Sequence, residues 1–525
     1  MKLDIISSQL RSAAKDQTLR SKPVIRDWFL WAVVSLGIAG TTLSAIGSWI
    51  PSLWGDEAAS LMSAERSIPS LFTMLGVVDA VHGTYYLGLH AWIGLFGTSP
   101  FAIRFPSAIA SGLTVAAVML IASRLGSRRV AVIAGIVCVV LPRVTYMGEE
   151  ARSYAFSATI AAWLTYLLLE IIARGHPSRR WWIAYAALLS LGTYVFLYTV
   201  LFAVVHGVIL LSVRTPKDVI RRWAYAVGAA VLSAAPLVVF AILERGQIAY
   251  LDNTTQVTFT TLTVSLWFST TEFAVVAWVL IAVAIFAAVR QWLRWRKSAA
   301  RGEPRPMTRM PNLMVVALAW LLVPSVILIG AQFAIAVFTA RYLSYCAPAA
   351  AILIACGLDW LGQRNRWVLV LGTAVVVGAA VPAYLSQRGP YSKNNSDWAQ
   401  ISAIIGAHSQ QGDAIAFDET VRPSRRPRLA LHTYPDGFTK VRDVGLDVPF
   451  AQTDVWHDTA FSITMAASLG RLAGVHRVWL VEYGTAQHPD TYDVADLQRL
   501  GYVVSAKFTA HRSVIYEYVD STIAP

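Results

Sequence analysis

The sequence predicts a polytopic α-helical membrane protein of about eleven transmembrane helices, followed by a small extracytoplasmic α/β domain. Three observations carry this. Of 525 residues, 56% are hydrophobic and only 14% are charged, against roughly 25% charged in an average soluble chain. Mean hydropathy is +0.52. Apolar runs of about 17–25 residues, the length that crosses a bilayer as a helix, recur along most of the chain. They alternate with short basic loops. Lys and Arg number 44 against 31 Asp and Glu, for a net charge of +13. With the cations in short loops, this excess reads as orientation by the positive-inside rule and not as a nucleic-acid surface. The 19 Trp and 20 Tyr suit aromatic belts at the two membrane–water interfaces.

Residues 1–27 are polar and basic, with Arg20, Lys22 and Arg26 next to the first apolar run. That run, 28–50, is too long for the apolar core of a cleavable signal. It is expected to remain as an anchor, with 1–27 as a cytoplasmic segment. Residues 51–100 then form an outer-face loop. Its pieces 58–64 and 68–81 are amphipathic and read as interfacial helices lying on the membrane. Span 101–122 returns to the basic loop 124–129. Span 130–141 goes out, and 154–172 comes back to the basic loop 174–180. Residues 181–213 are long enough for two short spans that turn near 194–198. A single span there would invert everything downstream. Spans 224–243, 273–289, 313–337, 342–361 and 367–385 follow. Between them lie a Thr-rich outer loop, 244–271, and a basic inner loop, 290–312, with Arg290, Arg294, Arg296, Lys297, Arg301, Arg305 and Arg309. With two spans in 181–213, every strongly basic short loop lies on one side.

The membrane domain thus occupies 28–387, and composition changes from 388 onward. Segments 414–417, 478–482, 503–508 and 514–518 are rich in Val, Ile and aromatic residues and read as strands. Segments 397–409, 454–472 and 493–500 read as helices. Alternating elements predict an α/β domain over 388–525, on the outer side by the span count. Cys138, Cys346 and Cys356 lie in or beside apolar runs without ligand spacing and read as small core residues.

Polar groups at the ends of membrane spans are expensive, so they are the candidates for function. Asp56 and Glu57 follow Trp54-Gly55 just past the first span. Adjacent carboxylates can divide labour: one takes a proton from an attacking hydroxyl, and the other holds a sugar or a metal. Trp54 offers an aromatic platform for a sugar, and Gly55 permits a tight turn. Glu149, Glu150, Arg152 and Tyr154 cluster at the next external turn. His82, Tyr85 and Tyr86 read either as an interfacial aromatic belt or as substrate contacts. His90 reads as helix packing. Arg341-Tyr342 precedes a late span at its outer end, against the positive-inside trend. An arginine fork there can bind phosphate, or the side chain can simply snorkel. His176 and His206 are isolated. No nucleotide-binding glycine loop, zincin motif or nucleophile elbow occurs, which disfavours an ATP-driven pump and a soluble nucleotide-sugar site.

In this order and sidedness, Asp56-Glu57 after the first span, Glu150-Ala-Arg152-Ser-Tyr154 two spans later and Arg341-Tyr342 before a late span resemble the GT-C superfamily. The closest likeness is to the glycosyltransferase 39 type: protein O-mannosyltransferases and the aminoarabinose transferases of lipid A. The Ala/Val/Arg/Trp-rich composition fits a high-GC genome, where such proteins in actinobacteria look like polyprenyl-phosphomannose-dependent mannosyltransferases. The resemblance implies a GT-C fold and inverting transfer of a sugar, mannose favoured, from a polyprenyl-phosphate donor. The acceptor would be a lipoglycan, polysaccharide or protein outside the cytoplasmic membrane. It implies Asp56 as general base, Glu57 as helper, Arg341 and Arg152 at the donor phosphate, and Glu149, Glu150, Tyr154, His82, Tyr85, Tyr86, Trp54 and Tyr342 around the cleft. No cofactor is required by these motifs. The loop has no D-x-D motif, and a divalent cation at Asp56 is left open. Transfer of arabinofuranose from a decaprenyl-phosphate donor is the nearest alternative. A flippase of lipid-linked sugar would show internal repeats and polar mid-membrane breaks, and a catalytically inert scaffold would tolerate loss of Asp56.

Overall fold

The computed structural model describes residues 28–175, 177–213, 215–247, 256–301, 310–335, 337–484 and 492–521. The expected N-terminal segment 1–27, His176, and Arg305 and Arg309 of the inner loop lie outside the described residues. Among the described residues, seven helices are long and apolar enough to cross a membrane. They are α1 (Trp28–Ala45), α5 (Pro100–Leu125), α8 (Tyr154–Arg174), α13 (Thr271–Ala300), α14 (Leu313–Ala331), α15 (Ala347–Gly362, extended at its start by a 3-10 turn from Ala340) and α16 (Arg366–Gln387). Two bent pairs bring the number to nine. In the first, α6 (Arg128–Val140) and α7 (Pro142–Gly148) meet at 58°; in the second, α11 (Lys217–Ser233) and α12 (Ala235–Leu243) meet at 47°. Pro142 and Pro236 each follow the break, at the first turn of the new helix, where a missing N–H costs nothing.

In place of the remaining two expected spans stand α9 (Arg179–Val195) and α10 (Phe202–Ser212), 17 and 11 residues long and so shorter than the roughly 20 residues of a typical spanning helix. They form a hairpin and not one long helix. The hydroxyl of Tyr185 lies 2.8 Å from Nδ1 of His206, and residues that far apart in one straight helix would be separated by about 30 Å. Extended backbone at Phe196 makes the break. Residues 174 and 217 therefore lie at the same end of the bundle, as the basic loops require.

Residues 51–100 hold α2 (Gly55–Glu65), α3 (Ile68–Leu75) and α4 (Gly83–Phe96). Here the sequence reading needs correction. Every residue of α2 except Asp56 and Glu65 is buried, so α2 is not an interfacial helix lying on a membrane. The C-terminal residues cover it. Leu61 and Met62 share one apolar core with Trp398, Ile405, Ile415 and Phe438.

That C-terminal region contains α17 (Trp398–His408), β1 (Asp413–Phe417), α18 (Leu429–Thr433), β2 (Val441–Asp443), α19 (Ile463–Ser468), β3 (Arg477–Tyr483), α20 (Tyr492–Arg499), β4 (Tyr502–Thr509) and β5 (Ser513–Asp520). The strand order is β2-β1-β3-β5-β4. β1 is parallel to β2 and β3, while β5 is antiparallel to β3 and β4. One sheet face packs on α17, α18 and α2; the other packs on α19 and α20. The four expected strands are present, and the short β2 is additional. The expected helix over 454–472 shrinks to α19, and the chain before it is held instead by contacts from Arg66 and Ser70. Buried Arg66 donates to the carbonyl of Thr453 at 2.9 Å and to that of Val455. The Ser70 hydroxyl donates to the carbonyl of Ala451 at 2.6 Å.

Candidate functional site

The acidic pair does not sit on a loop. It forms the first turn of α2, where backbone N–H groups and the helix dipole favour carboxylates. The helix then sends the two side chains to opposite tasks. Asp56 stays partly exposed: its Oδ2 accepts from Nη1 of Arg341 at 2.6 Å, with the two side chains 26% and 24% exposed. Glu57 is wholly buried. It accepts from Nε and Nη2 of Arg104 at 2.7 and 2.5 Å and from the Ala151 N–H at 2.9 Å. Arg104 also donates to the carbonyls of Ser48 and Pro51, at 2.5 and 2.9 Å. This bidentate clamp fastens α2 to α5 and to the turn at 151.

The glycine before the pair has a different reason from the expected tight turn. A Cβ on Gly55 would collide with the Ser424 carbonyl oxygen and lie 2.6 Å from the Ser424 Cβ. Close approach of the C-terminal region demands glycine here. The same region holds the strand of chain leading into α2. The Leu53 N–H donates to the Tyr434 hydroxyl at 2.9 Å, and the Ser396 hydroxyl donates to the Leu53 carbonyl at 2.6 Å.

Arg152 stands beside Asp56. Its Nη1 lies 3.3 Å from both the Asp56 carbonyl and the Ser60 hydroxyl, and its Nη2 lies 2.9 Å from Nε2 of His82. Burial, with the positive charges of Arg152 and Arg341 nearby, holds the His82 pKa well below the usual imidazole range. The ring is neutral, so Nε2 accepts and Arg152 donates. Tyr86 donates to Asp79 at 3.0 Å, and Asp79 takes a left-handed φ of 62° next to main-chain bonds from 79 and 80 to Gln247 and Glu244. Burial raises the Asp79 pKa. Tyr85 packs edge-on against Tyr86 and Phe156.

Asp56, Arg152, His82, Tyr86 and Arg341 are thus brought together. The Glu150 carboxylate is fully buried, and both its oxygens lack a hydrogen-bond partner among the described residues. Burial raises its pKa, and Lys393 and Arg341 oppose that rise. Glu149 is not part of the cluster. It turns to Arg388 at 3.0 Å and Lys393 at 3.3 Å, at the joint after α16. Trp54, expected as a platform for sugar, is buried with the Arg341 guanidinium 4.7 Å from its ring. Tyr154 and Tyr342 both pack against Phe196 at the hairpin turn. His90 bonds the Ala64 carbonyl at 2.7 Å, in keeping with packing. Arg104, Ser60 and Asp79 were not singled out from sequence. Arg104 had a usable signal, an ionisable group inside a long apolar helix.

Residues 84–242 match the family model described as dolichyl-phosphate-mannose-protein mannosyltransferase. ArnT from Cupriavidus metallidurans, solved bound to undecaprenyl phosphate, superposes with a TM-score of 0.55 at 15% identity, over 94% of this chain and 99% of that chain. The Archaeoglobus fulgidus oligosaccharyltransferase tethered with an acceptor peptide containing the NVT sequon superposes with a TM-score of 0.52 at 11% identity, over 94% and 74%. A comparison with curated proteins finds no sequence match. The chain shares the overall fold of these two solved structures. The family model, matched over less than a third of the chain, describes proteins of the type that the order of its motifs resembles.

Proposed function

We propose that the protein transfers a sugar, mannose favoured, from a polyprenyl-phosphate donor to a cell-envelope glycan, glycolipid or protein at the outer face of the cytoplasmic membrane. The observation that carries this is the Asp56–Arg341 pair at 2.6 Å, backed by Arg152. A proton acceptor and a phosphate-binding fork stand within one side chain's reach. The acceptor hydroxyl attacks the anomeric carbon from the face opposite the phosphate, and configuration inverts. The new C–O bond forms as the anomeric carbon–phosphate oxygen bond breaks. Asp56 takes the hydroxyl proton, and polyprenyl phosphate leaves with the bonding electrons. Arg341 and Arg152 neutralise its growing charge.

The pairing also implies an order. Arg341 holds Asp56 until a phosphate competes for the same guanidinium, and only then is the carboxylate free to accept a proton. Donor binding therefore precedes activation of the acceptor. Glu57 acts as a positioning residue, because its carboxylate is spent on Arg104 and Ala151. Among the described residues no group of three or more metal-ligating side chains forms, and Asp56 is engaged by arginine. No step is routed through a metal.

A lateral groove of about 660 Å³, lined by Ile183, Ala187, Leu191 and Tyr194 and reaching Thr84 beside His82, supports a lipid-linked donor. Its apolar walls suit a prenyl chain. The deciding assay supplies purified full-length protein with labelled polyprenyl-phosphate mannose or decaprenyl-phosphate arabinose and candidate glycan acceptors. Transfer of mannose is the expected result. Transfer of arabinose alone would replace the sugar, and no transfer from either donor by folded protein would overturn the reading.

A further inference from the structure

Helix α8 leads away from the site to the opposite end of the bundle. It starts at Tyr154, two residues past Arg152, and ends at Arg174. Its 21 residues span about 30 Å, the thickness of a hydrocarbon core. Near the Arg174 end a crevice of about 380 Å³ lies between α8 and α9. Its walls are apolar and aromatic: Trp163, Tyr166 and Leu167 from α8, with Trp181 and Leu188 from α9. All five are half-buried. The bundle packs behind them and leaves their outer sides uncovered.

The charged groups gather at one end of the crevice. Glu170 pairs with Arg174 at 2.6 Å and with Arg124 of α5 at 3.3 Å. Two arginines share one carboxylate, so the group carries a net positive charge. Both guanidinium groups stay accessible, with the Arg124 and Arg174 side chains 42% and 39% exposed. The bonds from Arg174 to the Glu170 carbonyl and carboxylate both use Nη1. Among the described residues its Nε and Nη2 are left for another acceptor. The same guanidinium lies 3.9 Å from the Trp181 ring centroid, which fixes its plane. Arg222 of α11 holds the loop between α8 and α9, donating to the Pro177 carbonyl at 3.2 Å.

We infer that this crevice binds an anionic phospholipid of the leaflet opposite Asp56, with its phosphate on Arg174 and Arg124 and an acyl chain along Trp163, Leu167 and Leu188. The division of the crevice selects the occupant. A free phosphate would meet the arginines and leave the apolar walls bare. A neutral lipid would cover the walls and leave the positive charge unmatched. An amphiphile with an anionic head does both, and basic pockets between membrane helices on the cation-rich side hold such head groups. The groove assigned to the donor lies elsewhere, between α9 and α11, where Ala229 and Ala230 line it. The lipid site stands apart from the transfer reaction and does not depend on it.

The test equilibrates full-length protein in detergent with phosphatidylglycerol or phosphatidylcholine of the same acyl chains, and counts bound lipid by native mass spectrometry. One phosphatidylglycerol is expected to bind about tenfold tighter than phosphatidylcholine, the scale set by two cations near one head group. The preference should collapse in the Arg124→Gln/Arg174→Gln double variant. It should persist in Arg290→Gln/Arg294→Gln, which removes the same charge from the end of α13. Leu188→Trp fills the crevice without altering a charge and should weaken binding of both lipids. If the first double variant fails to fold, Leu188→Trp carries the test alone. Equal affinity of the wild type for the two lipids would overturn the inference. So would an equal loss in the Arg290/Arg294 variant, since the attraction would then be that of the whole basic surface, or unchanged binding by Leu188→Trp. Polyprenyl phosphate displacing phosphatidylglycerol at a lower concentration would overturn it too, because the crevice would then hold a carrier lipid.

Discussion

Asp56 and Glu57 are neighbours in sequence, yet they live in different regions of the molecule. Asp56 and its arginine are each about one quarter exposed. Glu57 and Arg104 show no exposure at all. In the proposed reaction the first pair exchanges partners with an incoming phosphate. The second cannot open without stranding a charge in a buried site. A single step along the helix, about 100° around its axis, thus separates a partly exposed ion pair from a buried one, and burial is what distinguishes them.

The comparison can be broken most severely at the structural pair. Glu57→Ala leaves Arg104 buried without its partner, at a cost on the order of 3–5 kcal/mol. Thermal or denaturant unfolding in detergent should show this loss. A Glu57→Ala protein as stable as the wild type would show that the clamp is unimportant. Arg341→Ala breaks the reactive pair instead. It should leave stability nearly unchanged and lower kcat/KM for the lipid donor by about 10²–10³-fold, as expected when a charged donor to the leaving group is removed. Equal donor kinetics would contradict its role.

Gly55→Ala tests whether the C-terminal region truly presses on the helix start. The added methyl meets the Ser424 main chain, and overpacking of this kind costs about 1–3 kcal/mol. Transfer should fall along with stability, because the clash lies next to Asp56. The smallest effect concerns Glu150. Burial raises its pKa in the fold, so the folded protein holds that proton more tightly than the unfolded chain. Its contribution to stability is therefore greatest at low pH. It declines as pH rises from the ordinary carboxylate range through the raised value. His82, whose pKa is lowered in the fold, contributes the opposite slope, lost as pH falls below the usual imidazole range. The difference in unfolding free energy between wild type and Glu150→Gln isolates the first. It should shift in favour of the variant as pH rises, and a flat difference would show that Glu150 is not perturbed.

Much of the fold was legible in the sequence because bilayer-length apolar runs and their basic flanks depend only on local composition. The hairpin over 179–212 was legible as a possibility, and one tyrosine–histidine contact across it decides the matter. The burial of α2 was not legible. Its amphipathic pattern is the same whether a membrane surface or another part of the chain covers the apolar face, and only the packing of Trp398, Ile405 and Phe438 distinguishes the two. The site divides similarly. Asp56, Arg152, His82 and Arg341 stood out as polar groups at span ends. The split between Asp56 and Glu57 required Arg104, 47 residues beyond Glu57. The departure of Glu149 required Arg388 and Lys393, just past the far end of the last long apolar helix. Long-range ion pairing leaves no periodic trace in a sequence.

The central claim is that Asp56 serves as the base and that donor phosphate frees it from Arg341. Its most direct test compares wild type and Asp56→Asn in transfer of labelled mannose from polyprenyl-phosphate mannose, with polyprenyl-phosphate binding measured on the same preparations. Loss of about 10²–10⁴-fold in transfer, the usual weight of a general base, with donor binding retained, is the predicted result. Full transfer by Asp56→Asn would contradict it.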